Sequence, residues 1–161
     1  NTNLLLAFLR DHNTARSVLD VFNDLYAMFG RETYCRLFPV ILTDRGSEFS
    51  NPVPIEQDEN DELRSLVFYC NPSAPYQKGG IEVAHELVRR VLPKGKSFDD
   101  LQQEDIDLML SHINSYKRGK LNSRSAYQLF NFIYGDDILP KLNIREIEAN
   151  DIVLSPKLLK K

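Results

Sequence analysis

Residues 38–46 read FPVILTDRG, and the interpretation of the whole chain starts from this stretch. The part up to Thr43 is rich in apolar and β-branched residues, which predicts a buried strand. An Asp-x-Gly turn follows at once, so Asp44 sits where the predicted strand ends. Because sites in α/β proteins are built at the carboxyl ends of strands, Asp44 is a candidate functional residue. A turn residue with no further role is the alternative.

The flanking segments predict further elements of an α/β fold. Residues 4–9 form an apolar run that predicts another buried strand, and residues 66–70 predict a third. Between Thr14, a good helix cap, and Gly30, apolar residues recur every three or four positions, which predicts a helix that ends at the glycine. Helices are predicted again in the downstream half. Strand, helix, strand, strand and then helices is an α/β order with its sheet in the first half.

A helix is predicted to begin after Gly79-Gly80 and to run to about Leu92. Glu82 lies near its start, on a polar stripe that also carries Arg89. Acidic residues are favoured near helix N-termini in any case, so a purely structural role is the alternative for Glu82. Further helices are predicted around residues 106–113 and 127–134.

Charge is distributed unevenly along the chain. The 20 Lys and Arg residues are outnumbered by 23 Asp and Glu, which gives a net charge of −3. Even so, Lys117, Arg118, Lys120 and Arg124 occupy a stretch that contains no acidic residue. Because salt screens charges beyond ~10 Å, such a local patch can bind phosphate despite the negative total. A solvated helix end and loop is the alternative.

Composition narrows the class of protein. The chain has 161 residues, of which 42% are hydrophobic and 27% charged, as in ordinary soluble domains. Its longest apolar run, residues 4–9, is far shorter than the ~20 residues of a membrane span. Cys35 and Cys70 lie far apart without a CxxC partner, which favours a reducing, cytoplasmic compartment. The absence of an initiator Met suggests a cut start.

Two motifs in combination resemble a known family. DRGSEF at residues 44–49 is followed by YQKGGIE at residues 76–82, with 37 residues between Asp44 and Glu82. This resembles the catalytic core of Asp-Asp-Glu transposases and retroviral integrases, most closely the bacterial insertion-sequence transposases of the "thirty" family. Those proteins also have a basic residue seven places after the Glu, which is Arg89 here. The similarity covers roughly residues 4–134.

The resemblance implies a ribonuclease H-like fold, with a partial catalytic core at residues 1–134 and a C-terminal extension at 135–161. It implies that Asp44 and Glu82 are catalytic carboxylates and ligands of a two-metal Mg²⁺ or Mn²⁺ site that cleaves and joins DNA strands. DNA is the implied partner. The expected DNA contacts are Lys78, Arg89, Lys117, Arg118 and Lys120.

The chain also departs from the family pattern. The family's first catalytic Asp and two strands are expected upstream of Asn1, so we expect unpaired edges, self-association and no activity for this chain alone. Arg45, Val83 and Ala126 replace the family's usual residues, and Arg45 is expected to compete with cations for Asp44. A decayed or repurposed DNA- or protein-binding remnant is therefore the alternative function. An unrelated carboxylate-pair hydrolase is a third possibility that no motif favours.

Overall fold

The computed structural model describes residues 2–71, 81–95 and 97–159. The chain divides into two compact units, one formed by Arg10–Gly79 and the other by Asn1–Leu9 with Gly80–Lys161. We describe each unit by itself. Lys78 and most of the YQKGGIE motif lie outside the described residues.

The unit Arg10–Gly79 begins with helix α1, Ala15–Leu37. Thr14 caps it, because its hydroxyl accepts a hydrogen bond from the Ser17 amide, as the sequence predicts. Gly30 breaks the helical geometry with φ 73° and ψ 163°, at the position where the sequence predicts the helix to end.

A second helical segment, which the sequence does not predict, follows Gly30 and continues to Leu37. Tyr34 accounts for this continuation. Its ring is completely buried and packs edge-on against Tyr26, with 5.2 Å between centroids, and at a tilt against Phe38, with 5.1 Å between centroids. Burial of a large aromatic side chain favours the extra turns of helix, although no local signal in the sequence predicts them.

Two of the predicted strands are confirmed. β1, Val40–Thr43, pairs in parallel with β2, Leu66–Tyr69, and their register places Thr43 beside Tyr69. The short helix α2, Val53–Glu56, lies between them in sequence. The two strands form a two-stranded sheet whose carboxyl ends, after Thr43 and Tyr69, lie together.

A buried arginine organises the interior beside this sheet. Arg64 is 4% exposed and donates hydrogen bonds to the carbonyls of Ile55 and Pro54 and to Asn23 Oδ1. Its guanidinium carbon lies 5.1 Å from the centre of the Tyr26 ring. Buried charge is tolerated where acceptors and aromatic faces replace water, and this residue has both.

The second unit is helical. Its elements are α3 (Ile81–Val91), α4 (Gln103–Ser115), β3 (Lys117–Arg118), β4 (Arg124–Ser125), α5 (Ala126–Tyr134) and α6 (Ile138–Lys141). Helix α4 is central, since nearly all residues from Ile106 to Ser115 are buried. Ser125 caps α5 through the Gln128 amide, and α5 ends at Gly135 with φ 99°. The three downstream helices that the sequence predicts are thus present.

The predicted strand at residues 4–9 is wrong. The segment has no strand structure, and side-chain amides of α4 bind its backbone instead. Asn114 accepts from the Leu5 amide at 2.9 Å and donates to the Leu5 carbonyl at 2.8 Å. Gln103 does the same for the Leu9 amide and the Ala7 carbonyl. Buried backbone amides and carbonyls need hydrogen-bond partners. Here the side chains of Gln103 and Asn114 provide the hydrogen bonds that a neighbouring strand would provide in a sheet.

The described residues form a mixed structure of helices and two separate two-stranded sheets, which agrees with the α/β part of the predicted fold class. Cys35 and Cys70 are free thiols. None of the helices described is both long and apolar enough to cross a membrane.

Candidate functional site

Asp44 lies directly after β1, and its side chain is exposed. The residue before it is anchored, because Thr43 is buried and its carbonyl accepts a hydrogen bond from the Cys70 amide at 2.8 Å. The turn after it is also held, since the Tyr69 hydroxyl donates to the Phe49 carbonyl. Asp44 is therefore an accessible carboxylate at a strand end whose neighbouring residues are held by hydrogen bonds.

Glu48 brings a second carboxylate into the same turn. The carboxylate lies close to the backbone of Gly46, because a Cβ atom there would be 2.7 Å from Glu48 Oε2. The sequence motif contains Glu48, yet its spacing alone does not indicate this close approach. Arg45, which precedes the glycine, is exposed to solvent.

Glu82 lies in the first turn of α3 and is exposed, as is Arg89 two turns later. The buried side of this helix carries Leu87 and Val91. Arg90 is held by Glu86 at 2.6 Å, and this hydrogen bond raises the pKa of Arg90. Arg89, by contrast, forms no ion pair with any described residue, so its charge is available to a ligand.

The two predicted catalytic carboxylates belong to different compact units. Their convergence on one cation therefore stays a prediction. Within residues 2–71, 81–95 and 97–159, no three His, Cys, Asp or Glu side chains come together in a group that could hold a metal ion. Asp44 and Glu82 each offer the oxygen ligand that Mg²⁺ prefers, but a dinuclear centre needs more ligands than these two carboxylates.

Three of the predicted DNA-contact residues lie on or beside one hairpin. In this basic hairpin, Lys117–Ser125, strands β3 and β4 pair antiparallel, with Lys117 opposite Ser125 and Arg118 opposite Arg124. A 3₁₀ turn at Gly119–Leu121 and two left-handed residues after it reverse the chain.

The cations of the basic hairpin differ in their surroundings. Lys117, Lys120 and Arg124 are exposed. Arg118 is half-buried and donates to the carbonyls of Asn3 at 3.2 Å and Ile113 at 3.4 Å. Burial also lowers the pKa of its guanidinium. Arg118 is thus engaged by backbone oxygens, while Arg124, absent from the predicted set of DNA contacts, is an accessible cation of the same hairpin.

Comparison with known proteins finds relatives over part of the chain. ORF3 of Spiroplasma virus SpV1-R8A2 B, named as an integrase, is 30% identical over 120 residues, which are 74% of this chain and 35% of the viral protein. The transposase of insertion sequence IS1086 from Cupriavidus metallidurans is 35% identical over 63 residues, or 39% of this chain and 19% of that protein. The transposase of IS30A from Escherichia coli K12 is 27% identical over 63 residues, or 39% of this chain and 16% of that protein.

The chain thus spans about a third or less of the length of these relatives. No family model matches, and no solved structure matches. The resemblance to integrases and insertion-sequence transposases, inferred from the motifs at residues 44–49 and 76–82, is confirmed by the names of the chain's homologues.

Proposed function

We propose, from this homology to integrases and insertion-sequence transposases, that the chain is a DNA-handling part of a protein that cleaves and joins DNA strands. Its architecture is then a partial ribonuclease H-like core, with residues 135–161 as an extension. The basic hairpin is the observation that supports this proposal most directly. It presents exposed cations in a chain whose net charge is −3.

The hairpin suits DNA because of where its charges lie. No Asp or Glu occurs from Ser115 to Gly135. Lys117 and Lys120 are exposed and form no ion pair with any residue the structure describes. Such cations bind phosphate oxygens and release counterions without reading sequence. Arg89 and Lys78 complete the proposed set of phosphate contacts. Arg118 belongs to the proposed set as well, although its guanidinium already donates to the carbonyls of Asn3 and Ile113.

Asp44 and Glu82 are the proposed catalytic carboxylates. Both are exposed, and each sits at the end of a regular element, which fixes its backbone. A divalent cation, when bound, would activate the attacking oxygen and stabilise the leaving oxygen of the phosphodiester. The chain's own contribution is to hold two oxygen ligands. Mg²⁺ gives up its waters reluctantly, so we expect weak binding and no strand cleavage by this chain alone.

DNA binding tests the first part of the proposal. We expect the chain to bind a short duplex weakly and without sequence preference, with affinity falling steeply as salt rises. Replacing Lys117 and Lys120 together by Ala should reduce the slope of log K against log salt by about 1.8, because each lost phosphate contact contributes ~0.9. Fluorescence anisotropy between ~50 and ~200 mM salt measures this slope.

The matched control replaces Lys141 and Lys157, which are exposed in the same unit, so the net charge changes equally. This control should leave the slope nearly unchanged. Equal slopes for both double variants would show that overall charge, and not the basic hairpin, binds the DNA.

Metal binding tests the carboxylates. Titration with Mn²⁺, followed by calorimetry, should show weak binding that Asp44→Asn and Glu82→Gln each reduce further. Asp20→Asn and Glu86→Gln are controls, because those side chains are 49% and 63% exposed and their carboxylates pair with Arg16 and Arg90. Unchanged affinity in either test variant would make that carboxylate structural. DNA binding without any metal effect would favour the alternative of a non-enzymatic DNA-binding module.

A further inference from the structure

Phe132 on α5 exposes 80% of its surface, more than any other large hydrophobic residue that the structure describes. The other residues of α5 explain why the Phe132 side chain points outward. Ala126 and Phe130 are buried on the inner side, and Phe130 packs against the Tyr134 ring at 4.8 Å. Phe132 therefore lies on the outer side, beside Ile133, which is 51% exposed. One exposed apolar side chain is ordinary in a soluble protein, so exposure by itself indicates no function.

A second observation links this ring to the proposed DNA surface. The guanidinium carbon of Arg124 lies 5.9 Å from the centre of the Phe132 ring, at the outer limit of a cation–π contact. Arg124 belongs to β4 of the basic hairpin, and the residue after it, Ser125, pairs with Lys117. An open aromatic face therefore adjoins exposed cations of the hairpin.

We infer that Phe132 and Arg124 form a stacking site for an unpaired base of nucleic acid whose backbone lies on the basic hairpin. This inference rests on the proposed function and adds a strand preference to it. Proteins that bind single strands combine a cationic track for the phosphates with aromatic faces on which bases stack. The planar guanidinium of Arg124 can flank the same base, since it packs well on flat rings.

The positive charge of the basic hairpin favours nucleic acid over a protein partner as the ligand of this surface. The hairpin and α5 themselves carry only positive charge, because no Asp or Glu occurs between Ser115 and Gly135. The carboxylate of Glu146 approaches α5 one turn before Phe132, where it accepts a hydrogen bond from Gln128 at 2.8 Å. Arg124 forms no ion pair with a described carboxylate, so it can bind a phosphate. Phe132 and Ile133 are the exposed large hydrophobic residues of α5. Two residues are far fewer than the ~20–30 that each side of a stable protein interface contributes.

The experiment compares single-stranded and duplex DNA on the full chain. An oligonucleotide that carries 2-aminopurine reports stacking as a loss of fluorescence. Phe132→Leu keeps an apolar side chain and removes the aromatic face. We expect it to weaken single-strand binding about 5-fold or more, because base–aromatic stacking contributes ~1–3 kcal/mol, and to abolish the quenching. Duplex binding should be unchanged.

Ile133→Ala is the matched control. It removes as many carbon atoms as Phe132→Leu does, from the neighbouring exposed position of α5, yet it takes away no aromatic face. Equal effects of the two variants on single-strand binding would overturn the inference, as would persistent quenching in Phe132→Leu. Binding of an acidic peptide that depends on Phe132, without any effect on the oligonucleotide, would also overturn it and identify a protein partner. Circular dichroism confirms that each variant is folded.

The failures of the two proposals are distinguishable. If neither form of DNA binds the unaltered chain, the proposed function and this inference both fail. If duplex binding depends on Lys117 and Lys120 while Phe132→Leu changes nothing, only the stacking site fails.

Discussion

At the scale of single residues, the burial of His112 makes the stability of the folded chain depend on pH. It lies on α4, is 7% exposed, and its Nδ1 accepts a hydrogen bond from the Val153 amide at 3.1 Å. An imidazole that accepts at this nitrogen is neutral there. Burial lowers the pKa of His112, since the charged form loses its hydration, and Asp151 offsets this only in part.

We therefore expect stability to depend on pH. Below the ordinary histidine pKa of 6.5, the unfolded chain binds a proton that folded His112 does not, so the free energy of unfolding should fall as pH decreases. The contribution of His112 should be complete above that pH and should diminish as the pH falls towards its lowered pKa in the folded chain. Urea denaturation at several pH values between about 7.5 and about 5 measures how the free energy of unfolding changes with pH, because this range extends ~1–2 pH units around the ordinary histidine pKa.

His112→Asn offers an oxygen acceptor to Val153 without titrating in this range, so part of the pH slope should disappear. His12→Asn, at an exposed position, is the control and should retain the slope. An unchanged slope in His112→Asn would assign the pH dependence to other groups.

At the scale of elements, Gly30 determines the shape of α1. Its φ of 73° with ψ of 163° lies in a region that is essentially restricted to glycine. Gly30→Ala should destabilise the chain by about 1–3 kcal/mol through backbone strain alone, since a Cβ atom there meets nothing within 4 Å. Chemical denaturation followed by circular dichroism gives the difference.

Gly119→Ala is the matched control. Its Cβ atom also meets nothing within 4 Å, and its φ is not positive. This change should alter stability by less than about 1 kcal/mol and in the stabilising direction, through the unfolded chain. A Gly30→Ala protein that is as stable as the control, with higher helix content, would mean that α1 straightens at no cost.

At the scale of the whole molecule, the β1–β2 sheet carries an apolar face that is exposed. Cross-strand neighbours form it, namely Val40 with Leu66 and Leu42 with Phe68, and each is between 42% and 56% exposed. Parallel sheets are usually covered on both faces, so this surface favours association. We propose self-association of the chain through it.

The double variant Leu42→Lys, Phe68→Lys should then lower the average mass measured by analytical ultracentrifugation and remove its dependence on concentration, because charge opposes burial of the face. Val53→Lys is the control, since Val53 is 51% exposed on α2, outside the sheet. An identical mass for the unaltered chain and the double variant would contradict association through this face.

Several helix ends and turn positions follow from the amino-acid sequence alone. Thr14 and Ser125 start helices and Gly135 ends one, because caps and turn residues act through hydrogen bonds and backbone angles within a few positions. Asp44 at a strand end and Glu82 in a first helical turn are likewise predictable from neighbouring residues. The homology to integrases and transposases can also be inferred from the sequence, since it rests on the motifs at residues 44–49 and 76–82.

Features that join distant positions depend instead on tertiary packing. The Asn114 amide binds the backbone of Leu5, 109 positions away, and so residues 4–9 need no neighbouring strand. Arg118 turns to the Asn3 carbonyl, while Arg124 faces Phe132. Apolar periodicity and charge counts predict which residues are inside or outside. They do not predict which partner a backbone amide or a guanidinium finds, because that choice depends on how separate segments pack together.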